Sequence, residues 1–570
     1  MEKVQRHAYD VVVIGAGGAG LRAAIEARLA GARTAIISKS LFGKAHTVMA
    51  EGGAAAAMGN VNPNDSAQVH FRDTMRGGKF LNNVRMAQLH AQEAPERIWE
   101  LETYGALFDR TPDGRISQRN FGGHEYPRLA HVGDRTGLEL IRTLQQKIVS
   151  LQQEDFTATG SYDSRLRVYD ETTITDLLVT NSTVAGAFGY VRATGDLVLF
   201  EAPAVILATG GIGRSYRVTS NSWEYTGDGH ALALRAGGKL INMEFLQFHP
   251  TGMVWPPSVR GILVTESVRG DGGVLTNSEG RRFMFDYIPE VFREYYADTP
   301  KEADRWYTDP DNHRRPPELL PRDEVARAIN AEVKAGRGTP AGGVYLDVSS
   351  RLSAETIRRK LPSMYHQFRE LADVDITKQP MEVGPTCHYV MGGVEVDAET
   401  AAAVGVPGLF AAGEVAGGMH GANRLGGNSL SDLLVFGKRA GEHAAGYAAT
   451  APRARLADAD LAAAAETALA PLERPGGENP YALQQELQTV MGNLVGIIRR
   501  GSELAESLEK LAELRERVTK VGAAGGRAYN PAWHLALDLR HMLVVSECTA
   551  RAALQREESR GGHTREDFPG

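Results

Sequence analysis

The chain has 570 residues, 42% of them hydrophobic, and a net charge of −7 from 63 basic and 70 acidic side chains. That length requires several packed domains, and the mixed charges form no basic block, which argues against a nucleic-acid partner. Two cysteines, Cys387 and Cys548, exclude a disulfide framework and are too few thiolates for an iron–sulfur cluster.

Residues 1–10 lack the apolar core of a signal peptide, and no apolar run approaches the length of a membrane span. Any membrane association is therefore expected through a partner. Residues 9–14 (YDVVVI) read as a buried parallel strand. The glycine cluster 15–20 follows, then an amphipathic helix (LRAAIEARLA) ended at Gly31, then a strand at Thr34–Ile37. This is a βαβ unit. Residues 85–104 and 136–152 read as helices, and 203–209 as a buried strand before Gly210 and Gly211. Residues 300–322 are polar and proline-rich, which suggests a surface excursion within an inserted domain. Residues 405–413 suggest another strand and turn. Beyond 445 alanine and charged residues dominate, with helical patterns at 481–499 and 502–520 and a linking stretch at 452–480.

The cluster GAGGAG lets a pyrophosphate approach free N–H groups at a helix N-terminus. It does not separate NAD from FAD, but it occurs once, and Ser38 stands where an acidic ribose ligand is usual in NAD enzymes. Further glycine-flanked motifs follow: AHTVMAEGG (45–53), QFHPTG (247–252), TESVRGDGG (265–273), LPRD (320–323), PTCHYVMGG (385–393), GE (413–414) and GANRLGGNSL (421–430). Any one alone reads most simply as a turn with a solvated or capping side chain. Together they include two histidines, a threonine and two arginines that would make a set suited to a small dianion.

The order and wording of these motifs, with ESRGGH near the end, resemble the flavoprotein subunit of succinate dehydrogenases and fumarate reductases over almost the whole chain. The resemblance implies a Rossmann-like α/β FAD-binding domain (1–243 and 381–446) interrupted by an α+β capping domain (244–380). A helical domain (447–548) and a C-terminal segment (549–570) would follow. Carried over residue by residue, it makes His46 the covalent attachment site of FAD, with Gly15, Gly17, Gly18 and Gly20 at the pyrophosphate. Ser38, Lys39, Thr47, Gly52, Gly53, Asp228, Glu414, Ser429 and Leu430 complete the expected cofactor site, and no metal site is expected. His249, Thr265, His388 and Arg424 would bind the dicarboxylate. Arg322 would exchange the substrate proton, with Glu266 and Arg269 in relay. Ala45 and Glu51 depart from the serine and glutamine common in the family.

The implied activity is oxidation of succinate to fumarate, with electrons passed to an iron–sulfur subunit. Membrane-anchor subunits would hold the complex at the cytoplasmic face of the inner membrane. Fumarate reduction is the alternative. L-aspartate oxidase is a further one, against which His46 argues. A non-catalytic flavin-binding assembly protein would need none of His249, Thr265, His388, Arg322 or Arg424. The chain ends soon after ESRGGH, where relatives continue, so either a short tail or a truncation is expected.

Overall fold

The computed structural model describes residues 3–569. Its central sheet has five parallel strands in the order Leu409–Ala411, Ala204–Leu207, Val11–Ile14, Thr34–Ile37 and Leu166–Tyr169. Val11–Ile14 is buried at every residue, as an apolar β-branched run covered on both faces must be. At its end Gly15 takes a φ of +116°, and a Cβ there would lie 2.1 Å from the Ala208 carbonyl oxygen. Only glycine can make this turn.

The helix that follows, Gly18–Leu29, is not amphipathic in its setting. Residues 18–25 are all buried, Arg22 included. The reason is tertiary: a long helix, Asn428–Thr450, packs directly against it. Gly437 and Gly441 allow this contact, because a Cβ at Gly441 would lie 2.2 Å from the Ala23 carbonyl oxygen. A mixed sheet of Val4–Ala8, Leu197–Glu201, Thr183–Val191 and Thr172–Thr180 lies outside the sequence expectations; its first pair is parallel and the others antiparallel.

A second core surrounds an antiparallel sheet of Leu246–Met253, Met381–Val390, Val344–Asp347 and Val274–Thr276. The proline-rich stretch expected at the surface ends in this core instead. Residues 316–320 are all buried, Leu319 and Leu320 completely, because two leucines outweigh the polar composition around them. Strand Met381–Val390 begins at the expected domain limit and is shared between cores: Met381 and Val383 join this one, while Cys387 and Val390 join a third.

The third core is formed largely by helices Pro480–Leu494, Gly501–Val518 and Pro531–Gln555. The last of these passes unbroken through the limit expected after residue 548. Beyond it the chain turns back: the Gly562 N–H donates to the Ala422 carbonyl at 2.8 Å, and Arg327 donates to the Gly561 carbonyl at 3.0 Å. Among the described residues no helix is long and apolar enough to cross a membrane.

The helix contact predicts a contrast along one helix. Gly441→Ala should lower the melting temperature, at a cost of about 1–3 kcal/mol from overpacking. Gly446, on the same helix, has nothing within 4 Å of its would-be Cβ, so Gly446→Ala should be neutral or slightly stabilising. Equal melting of the two variants would show that the helices are not in backbone contact.

Candidate active site

One cleft opens at the C-terminal ends of the parallel strands, the usual place for a ligand in such a sheet. Two helix N-termini meet there. Gly18–Leu29 begins at Gly17 and Asn428–Thr450 at Gly427, and neither has a side-chain cap. Their orphan N–H groups suit a phosphate or another electron-rich group. A Cβ at Gly17 would lie 3.3 Å from Thr47 Oγ1, and Thr47 accepts from the Gly18 N–H at 3.1 Å. Bare backbone therefore faces the cleft. Gly20 does not line it: its Cβ would strike the Gly15 carbonyl oxygen at 1.8 Å, so this glycine serves the strand–helix packing.

His46 lies in a short turn along one wall. Its Nδ1 accepts from the Ser222 N–H at 3.3 Å, and its ring centroid is 4.5 Å from that of Tyr225. Burial lowers its pKa to about 4, so the ring is neutral. Nearby, burial pushes the Glu51 carboxyl well above the usual range, with Asp134 adding to the effect. That shift favours the neutral form of Glu51, which has the shape of the glutamine that the sequence resemblance would lead one to expect there. Burial also lifts Glu414 to about 7, although Glu414 accepts from the Val390 N–H at 3.0 Å.

At one side Lys39 Nζ donates to Asp538 at 2.7 Å, to Thr226 at 2.9 Å and to Asp228 at 3.0 Å. All three charged groups are largely buried. Burial opposes the lysine's charge, but Asp228 and Asp538 outweigh it and raise its pKa. Asp538 comes from helix Pro531–Gln555 and no local pattern marks it.

The inner end is different in character. Arg322, the first residue of helix Arg322–Glu332, donates through Nε to Glu266 at 2.7 Å and through Nη1 to Gln247 at 3.1 Å. Arg424 donates through Nη2 to the same Gln247 oxygen at 3.1 Å, and its guanidinium lies 4.2 Å over the Tyr389 ring. Burial, then Arg322, lowers Arg424 to about 10. Burial pushes the Glu266 carboxyl up, but Arg322 and Arg269 hold it below its usual value, so it is ionised. His249 and His388 stand 5.1 Å apart, and burial drives both well below the usual histidine value. Two guanidinium groups thus face one carboxylate beside two neutral imidazoles, which leaves net positive charge for a dianion.

The cleft gathers nearly all the expected residues. Gly15, Gly17, Gly18, Ser38, Lys39, His46, Thr47, Gly52, Gly53, Asp228, Glu414, Ser429 and Leu430 line it, as do His249, Thr265, Glu266, Arg322, His388 and Arg424. Arg269 lies behind Glu266, with Nη2 3.9 Å from its carboxylate. Gln247, which bridges the two arginines, opens the motif QFHPTG but is not among the residues to which the sequence assigns a role. Its place two residues before His249 on one strand is the signal that marks it.

A model of the FAD binding domain family matches residues 10–430, and one of the fumarate reductase flavoprotein C-terminal family matches residues 484–570. The fumarate reductase flavoprotein subunit of Escherichia coli is 38% identical over 98% of this chain and 88% of its own length. The succinate dehydrogenase flavoprotein subunit of Coxiella burnetii is 38% identical over 100% of this chain and 93% of its own. The structure of Mycobacterium smegmatis Sdh1 in complex with UQ1 is similar at 68% identity and a TM-score of 0.86, covering 99% of this chain and 90% of that one. The chain belongs to the succinate dehydrogenase and fumarate reductase flavoprotein family and is an FAD-dependent oxidoreductase. The residues present fit FAD: bare glycine backbone, two uncapped helix N-termini and a neutral His46 along one cleft.

Lys39→Met would strand two buried carboxylates, at a cost of about 3–5 kcal/mol. Without the lysine, burial raises both acids above their unfolded values, as it already raises Asp538 to about 6. An acid whose folded pKa is raised loses stability as pH rises, so the melting deficit against the parent should widen from about pH 5 to about pH 8. A deficit independent of pH would rule out this account of the triad.

Proposed function

We propose that this chain oxidises succinate to fumarate and passes the electrons to a separate iron–sulfur subunit. The observation that carries the reading is the pair Arg322–Glu266 at 2.7 Å, set beside Arg424 at the inner end of the cleft, where two guanidinium groups face one carboxylate. Arg424 offers a planar fork to one carboxylate, and His249, His388 and Thr265 offer polar groups to the substrate. The bound flavin would supply the hydride acceptor.

Removal of hydride and proton from adjacent carbons leaves the proton to the protein. A guanidinium can take it only by handing on one of its own. The ionised Glu266 carboxylate accepts from Arg322 Nε, and Arg269 lies beyond it, so the proton has a route out of the cleft. Arg322 sits on the element packed in the second core and His46 on the first, so closure of the capping domain would bring the two sides onto the substrate and exclude water. Fumarate reduction uses the same residues in reverse, with Arg322 as the donor. The identity to Mycobacterium smegmatis Sdh1 favours the oxidative direction.

His46 is the proposed covalent attachment point. Its Nδ1 already accepts from a backbone N–H, an arrangement an imidazole alkylated at Nε2 would keep. Cys387 and Cys548 are too few thiolates to hold a cluster that would carry the electrons outward. The proposed partners are therefore an iron–sulfur protein and, through it, membrane anchors at the cytoplasmic face.

Two experiments test this reading. After acid denaturation and electrophoresis, flavin fluorescence should stay with the chain and be lost in His46→Ser; fluorescence only at the dye front would exclude the linkage. With a dye acceptor, Arg322→Gln should retain FAD and lose roughly 10²–10⁴-fold in succinate turnover, with a smaller change in substrate binding. Normal turnover with normal FAD content would show that Arg322 moves no proton.

A further inference from the structure

We infer that Gln247 is a positioning residue: one neutral amide oxygen sets the spacing of Arg322 and Arg424 and brings no charge of its own to compete with the substrate's carboxylates. The inference rests on the dicarboxylate reading above. Gln247 is 1% exposed and does not line the cleft, so it acts from behind the arginines. Its Oε1 accepts from Arg322 Nη1 and from Arg424 Nη2, both at 3.1 Å. Its Nε2 donates to the Arg424 carbonyl at 2.6 Å and to Asn423 Oδ1 at 3.0 Å.

These four bonds use the full capacity of the amide, two accepted and two donated. They also fix its orientation, since the reverse placement would set an NH₂ group against two guanidinium donors. The bridge spans the two sides of the cleft. Arg322 belongs to the helix packed in the second core, and Arg424 to the loop before helix Asn428–Thr450. A spacing shared through one oxygen makes the two cations a single receptor instead of two independent side chains.

Neutrality matters as much as geometry. The charged groups around this position are Arg322, Arg424 and, across Arg322, Glu266. A carboxylate in place of the amide would pair with both arginines and compete with the substrate for them. It would also leave the Arg424 carbonyl and Asn423 Oδ1 without their donor. An apolar side chain of the same length would remove the bridge without adding a competitor.

The two changes therefore predict different kinetic signatures in the FAD-loaded full chain with a dye acceptor. Gln247→Glu should weaken malonate binding and raise the succinate KM by about tenfold or more. Gln247→Met should bind malonate within a few fold of the parent but lose about tenfold or more in kcat, because the arginines are misaligned. FAD content and melting temperature are read on the same samples. A merely structural role would lower both in parallel and would not split KM from kcat, and that result overturns the inference. So does parental KM and kcat in both variants. A parent chain that neither binds malonate nor oxidises succinate overturns the dicarboxylate reading itself, and this inference with it.

Discussion

The site depends on how closely two helices can approach. Helix Asn428–Thr450 lies against Gly18–Leu29 with glycine at the contact, and Leu433 fills the space where a Cβ at Gly18 would be, 2.6 Å from its Cδ1. That packing brings two uncapped N-termini to one cleft. Larger residues at Gly437 or Gly441 would separate the helices and pull the second N-terminus, with Ser429 and Leu430, away from the first. Function here begins as a steric fact about backbone contact.

The cleft carries different charge at its two ends. On one side a lysine is matched by two buried carboxylates, so the local sum is close to neutral or slightly acidic. At the inner end two guanidinium groups face one carboxylate, and the excess is positive. Low local dielectric makes both arrangements costly if a partner is removed. The first holds the helical region to the cofactor wall through Asp538. The second keeps an excess of positive charge that a bound anion would balance.

Neutral groups are placed as deliberately as charged ones. Burial keeps the imidazoles of His46, His249 and His388 uncharged, and it pushes the Glu51 carboxyl toward its neutral form. Were these groups ionised, the field set by Arg322, Arg424 and Glu266 would be blurred. Desolvation, more than any single hydrogen bond, assigns the protonation states along the cleft.

The turn 15–20, the strand at Thr34–Ile37 and the glycine-flanked motifs are legible in the sequence, because each depends on local backbone geometry. A glycine that must adopt a positive φ or admit a close neighbour leaves its mark at its own position. The positive excess at the inner end is legible too, since it follows from residue types alone. Tertiary structure decided the rest. It buried a helix with an amphipathic sequence on nearly every side, and it drew Leu319 and Leu320 from a polar stretch into a core. It also set Asp538 on Lys39, 499 positions away, and Gln247 between Arg322 and Arg424, 75 and 177 positions away. No periodicity or motif encodes such pairings. They arise only when separate cores pack and leave buried charges whose partners belong to distant segments.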